Sequence, residues 1–150
     1  MKRILCSLCL VMGLYPGFAQ SQSYNLHLAD SLGADEYGMR KYHLVLLKTG
    51  PAKITDKDKQ AALFRGHIDN IARLSEAGIL VVAGPFTGKE SNYRGIFIFK
   101  TNTREETEAL LATDPAVKAQ LFSPEILEWY GSAALPLYLP YHKEIEKIQH

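Results

Sequence analysis

The chain has 150 residues, 47% of them hydrophobic and 22% charged, with 17 Lys and Arg against 16 Asp and Glu. That length and apolar fraction suit one globular domain rather than a disordered chain, and a formal charge of +1 argues against the basic surface of a nucleic-acid binder. There is no apolar run of roughly 18 residues, no internal repeat and no low-complexity tract, so neither a mature membrane span nor a solenoid is expected.

The first segment reads as an export signal. Lys2 and Arg3 give a positive start, Ile4 to Leu14 an apolar stretch, and Pro16-Gly17 a break, with Gly17 and Ala19 at the positions a signal peptidase reads. This predicts a cleaved signal peptide over residues 1–19 and a secreted or periplasmic protein; the competing reading is a buried N-terminal helix. Cleavage takes away Cys6 and Cys9, the chain's 2 cysteines, and with Lys2 and Arg3 moves the formal charge from +1 to −1. Disulfides, cysteine nucleophiles and thiolate metal sites are then excluded.

Residues 20–40 read as a polar arm with one short helical turn. A strand follows at Tyr42–Leu47, stopped by Gly50-Pro51. Thr55 is the expected N-cap of a helix whose apolar stripe is Phe64, Ile68, Ile71 and Leu74, with Gly78 at its C-terminal turn. A second strand, Ile79–Ala83, meets Gly84-Pro85, and a polar loop from Thr87 to Asn92 leads to a third strand, Gly95–Lys100. Thr103 caps a second helix running to about Thr113, and Asp114-Pro115 restarts a turn of helix. The fourth strand is Ile126–Tyr130. Residues 132–150 form a tail with Pro136, Pro140 and a charged amphipathic piece at Lys143–Gln149.

The order β-α-β-β-α-β over residues 41–131 predicts an α+β protein with the split βαβ arrangement of ferredoxin-like folds. Strand one has Leu44 and Leu46 on one face and Val45 and Leu47 on the other; strand three has Ile96 and Ile98 opposite Phe97 and Phe99. Two helices cover only one sheet face, and an exposed apolar sheet face is larger than monomers usually tolerate. A second copy of the chain, sheet against sheet, is therefore expected: a homodimer.

Few residues carry chemistry. His67 lies beside the helical stripe, where a half-buried imidazole serves as general acid or base once its tautomer is fixed. A core histidine bonded to a backbone carbonyl fits the same spacing. Asp114 fits a helix cap, and a capping carboxylate can also hold a histidine N–H. His43 on strand one, and Tyr93 and Arg94 ahead of strand three, are candidate substrate-binding residues that also fit ordinary strand positions. His27, His142 and His150 are expected in solvent, as is Arg65. Ser75 and Ser91 lack a nucleophile-elbow context. No His-x-x-x-His, Glu-x-x-His or phosphate-loop spacing occurs, so no metal or nucleotide site is expected.

Taken together, His67-Ile68-Asp69-Asn70-Ile71-Ala72-Arg73-Leu74, then Gly78 to Phe86 with its Gly84-Pro85, and later Thr113-Asp114-Pro115 resemble the YCII-related (YciI-like) domain. The resemblance covers roughly residues 41–131. It implies a dimeric α+β barrel and an active site in which a histidine and an aspartate act together, here His67 and Asp114. Dehydrochlorinase-type lyase chemistry on substituted hydroquinones is associated with the group. The export signal, the arm and the tail depart from its short cytoplasmic members.

Two functions follow as expectations. One is a small cofactor-free enzyme, lyase or isomerase, that uses His67 and Asp114 on a small cyclic or carbonyl compound. The other is a non-catalytic periplasmic dimer that holds an apolar ligand. Haem with His67 as its axial ligand stands third. Neither nucleic acid nor, after signal cleavage, a membrane is an expected partner.

Overall fold

The computed structural model describes residues 23–88 and 92–148. The predicted signal segment lies outside them, as do Ser91 and His150. Chain order is α1 (Leu26–Leu32), β1 (Met39–Thr49), α2 (Lys57–Glu76), β2 (Leu80–Pro85), β3 (Tyr93–Phe99), α3 (Arg104–Leu111), α4 (Pro115–Lys118), β4 (Phe122–Ser132), a 3₁₀ turn (Leu135–Tyr138) and α5 (Leu139–Ile145). Among the described residues no helix is long and apolar enough to cross a membrane.

The strands form one antiparallel sheet in the order β2-β3-β1-β4. This is the α+β, split βαβ arrangement that the sequence predicts. β1 and β3, apolar on both faces, take the two central places, as strands covered on both sides should. β1 and β4 stay in register from Met39↔Ser132 to Thr49↔Phe122. Both strands are longer than the apolar runs that announced them, because backbone pairing continues past the last apolar residue.

One sheet face packs against helices. Val45, Leu47, Leu80, Phe97 and Phe99 meet Leu74 of α2, Leu111 of α3 and Ala116 of α4. The other face is built on Tyr42, Val81 and Ile98. It is not left for a second chain alone to cover. β4 and β2 are opposite edges of the sheet, and the tail passes from one to the other. Leu135 packs on the Tyr42–Val81–Ile98 cluster, and the Tyr138 hydroxyl donates to the Val81 carbonyl on the open edge of β2. The tail thus covers one end of the face and blunts an edge strand. Leu127 and Trp129 on the same face remain exposed.

Three local expectations are corrected. The N-cap of α2 is Asp56, not Thr55: its carboxylate accepts from the N–H groups of Asp58 and Lys59, a stronger interaction than a hydroxyl offers. The buried face of α2 is His67, Asn70 and Leu74, while Phe64 and Ile68 are 42% and 39% exposed. The first half of the apolar stripe, Phe64 and Ile68, is therefore turned off the core and toward a cavity beside it, while Leu74 stays in the core. In the tail the helix begins earlier than Lys143, at Leu139, directly after the 3₁₀ turn. Gly78 does end α2 in the left-handed conformation, at φ 66°, and Thr103 with Glu106 forms a complete capping box on α3.

Candidate acid–base site

α2 and α4 cross close to the end of the sheet where Leu47, Phe97 and Phe122 lie. Gly66 makes that approach possible: a Cβ on it would sit 2.9 Å from Cγ of Pro115. The next residue of α2 is His67, and the residue before Pro115 is Asp114. Their side chains meet, with Nδ1 of His67 2.6 Å from Oδ2 of Asp114. Asp114 is 1% exposed and His67 8%.

The carboxylate divides its work between its two oxygens. Oδ1 accepts from the backbone N–H groups of Ala116 and Val117 at 2.8 and 3.3 Å, which caps α4. Oδ2 is left for His67. With a carboxylate as partner, Nδ1–H is the donor, and the neutral imidazole carries its lone pair on Nε2. Phe97 stacks on the ring at 5.8 Å and 29°, and Phe122 lies at 5.1 Å. Two aromatic rings and one ionic hydrogen bond fix the imidazole.

A second network holds the two elements together. Arg73 donates through Nη2 to Oδ1 of Asn70 at 2.6 Å and to Oγ1 of Thr113 at 3.0 Å, and the Thr113 hydroxyl lies 3.0 Å from the same Asn70 oxygen. Asn70 is buried one helical turn after His67, and Thr113 directly precedes Asp114. The clamp therefore sets the spacing of the pair from the residues next to it.

His67 lines a cavity of about 790 Å³ whose inner walls include Leu47, Phe64, Ile71, Phe97 and Phe122. Among the described residues Nε2 of His67 has no hydrogen-bond partner, and no fully buried side-chain nitrogen or oxygen lacks one, so Nε2 opens to this space. An open basic nitrogen, an anion behind the ring and apolar walls form the geometry of a general base.

Of the other candidate residues, Arg94 lines the cavity and Tyr93 and His43 do not. The Tyr93 ring lies under Nζ of Lys48, 5.9 Å from its centroid. His43 is buried away from the cavity with Nδ1 2.9 Å from the Thr101 hydroxyl, which is itself 2.6 Å from the Thr107 hydroxyl. His142, expected in solvent, is exposed but also lines the mouth of the cavity, together with Tyr138 and Lys143 of the tail. Sequence reading missed Asn70, Phe122 and these tail residues. Asn70 carried a signal, since it lies three residues beyond His67 on the same helical face. The tail carried none, because contacts across the sheet leave no periodicity in the sequence. Among the described residues no cluster of three or more His, Cys, Asp or Glu side chains is placed to hold a metal.

A model of the YCII-related domain matches residues 41–130. The chain belongs to the YCII-related family. The family domain spans β1 to β4 and contains His67 and Asp114, whereas α1, the 3₁₀ turn and α5 lie outside it. No curated protein matches the chain. Among solved structures, it is similar to 5-chloro-2-hydroxyhydroquinone dehydrochlorinase from Burkholderia phenoliruptrix AC1100 in complex with 2,5-dihydroxybenzoquinone, with 19% identity, TM-score 0.46, and coverage of 59% of this chain and 92% of that one.

Proposed function

We propose that this YCII-related protein is a small enzyme that uses His67 and Asp114 as an acid–base pair on a small cyclic or carbonyl compound, in a lyase or isomerase reaction. The observation that carries this reading is the 2.6 Å His67–Asp114 bond with Nε2 of His67 open to an apolar cavity. Nε2 takes a proton from a carbon next to a C=O group, whose oxygen is the electron acceptor. The electron pair moves onto that oxygen and returns to another carbon in an isomerase, or expels a leaving group in a lyase. Asp114 keeps Nδ1–H in place and stabilises the imidazolium that forms. The imidazolium then returns the proton to the product or to the leaving group. No step calls for a cofactor.

The test is turnover of a panel of substituted hydroquinones and small cyclic ketones by the full mature chain. Activity that disappears in both His67→Ala and Asp114→Asn supports the reading; activity that survives both overturns it.

The apolar lining of the cavity favours a second reading, a non-catalytic binding protein. Tight binding of a ring compound with no conversion, unchanged by His67→Ala, would select it. In either case we propose an exported homodimer. The N-terminal segment supports export, and Leu127 and Trp129, exposed on the tail-covered sheet face, support pairing. Light scattering that gives the mass of a single chain would remove the dimer.

A further inference from the structure

Arg94 reaches the cavity through an irregularity in the sheet. On β3, Phe97 and Phe99 face the helices, and strict alternation would send Arg94 to the opposite face with Ile96 and Ile98. The pairing of β1 with β3 slips here: Leu47 faces Gly95, but Lys48 faces Tyr93, so Arg94 is one extra residue in β3. Such a bulge re-aims a side chain. Nε of Arg94 donates to the Thr49 hydroxyl at 2.6 Å, and Arg94 is among the residues that line the same cavity as His67. One of its donors is used to fix the stem. Among the described residues the two terminal nitrogens have no protein acceptor.

The tail supplies one further cation, Lys143, with His142 beside it in sequence. Tyr138 fastens the tail to the Val81 carbonyl, and His142 and Lys143 of α5 line the cavity beyond that point. Two carboxylates, Glu76 and Glu146, line it too. Among the described residues neither forms an ion pair with Arg94, His142 or Lys143.

We infer that the bulged Arg94, with Lys143 and His142 of the tail, is the recognition end of this cavity, and that the compound it takes is a small apolar ring bearing an anionic group such as a carboxylate. This deepens the proposed function by naming a substrate class for the same cavity, and so rests on that reading for the ring's exposure to His67. A planar guanidinium with its stem fixed and its terminal nitrogens available suits two-point contact with a carboxylate. The apolar walls take the ring, and no anion is needed near the base.

The probes are benzoate and benzamide, equal in shape and different in charge, titrated calorimetrically into the full mature chain. Benzoate is expected to bind about tenfold or more tightly than benzamide. Arg94→Gln should abolish the preference, Lys143→Gln should reduce it about two- to fivefold, and His67→Gln should leave it in place. Arg94 and Lys143 lie on exposed positions, and unchanged melting curves will show that their variants fold. Equal binding of the two probes, binding of neither, a preference retained in Arg94→Gln, or one lost in His67→Gln each overturns the inference. A benzoate preference in a protein whose turnover survives loss of His67 and Asp114 would sink the acid–base reading and leave this one standing.

Discussion

His67 and Asp114, 47 residues apart in sequence, meet at 2.6 Å through one carboxylate oxygen while the other oxygen caps α4. The capping role and the pairing role are therefore not alternatives. The cap fixes the carboxylate, and a fixed carboxylate fixes the imidazole.

Asp114→Asn separates the two roles. The amide oxygen can still accept from Ala116 and Val117, so the cap survives. Its NH₂ group then faces Nδ1, which must become the acceptor, and the proton moves to Nε2. Nitrogen-detected NMR of His67 should show the tautomer change, and turnover of any substrate found should fall by about 10² to 10⁴. Asp114→Ala loses the cap as well and should cost about 0.5–2 kcal/mol in urea unfolding.

Gly66 tests the spacing of the helices. Ala at this position gains about 1 kcal/mol of helix propensity, but its Cβ would lie 2.9 Å from the Pro115 ring. The helix must move away from α4, a strain of about 1–3 kcal/mol. The expected result is a small net change in unfolding free energy and a large loss of turnover, because the shift lengthens the His67–Asp114 bond. Unaltered activity in Gly66→Ala would show that the pair tolerates the displacement.

Asn70 is a positioning residue. Asn70→Ala removes the acceptor that Arg73 and Thr113 share, at a cost of roughly 1–3 kcal/mol. Asn70→Asp keeps an acceptor facing Arg73 and should recover most of that stability. If the clamp also sets the pair, kcat should fall in the alanine variant with little change in KM, and recover in the aspartate variant. A loss of stability with kcat untouched would leave Asn70 purely structural.

The arm is fastened by Asp35. Its carboxylate accepts from the Tyr130 hydroxyl and from the N–H groups of Met39 and Tyr37, and these bonds hold its pKa below the usual 3.8. The same contact raises the pKa of Tyr130, since Asp35 holds the phenolic proton. A depressed carboxylate pKa contributes stability that is complete above the unfolded value and is lost as pH falls through the folded one. The melting temperature of the protein should exceed that of Asp35→Asn at pH 6, and the gap should close below about pH 4. A gap that stays constant into acid would mean that the fastening does not depend on the charge.

Much of this was legible in the sequence. Short continuous apolar runs gave the strands, and the Thr103, Asp114-Pro115 and Gly78 signals marked helix ends, because caps and turns are local interactions made within a few residues. Double-faced apolar strands pointed to a second copy of the chain rather than to the central places that β1 and β3 take in the sheet. The family resemblance singled out His67 and Asp114, but spacing alone left each with an ordinary structural explanation. What brings them together is the close approach of α2 to α4 at Gly66, a contact between segments distant in sequence.

The sequence by itself determined the elements, their order and the residue types available for chemistry, since these depend on local propensity and on which face of each element is apolar. Tertiary structure alone decided the rest. It turned Phe64 and Ile68 from the core toward the cavity, made Arg94 an extra residue in β3 that lines the same cavity, and carried the tail across the sheet so that Lys143 lines it too. Each depends on how separate elements pack, and packing between distant segments leaves no periodic trace in the chain that encodes it.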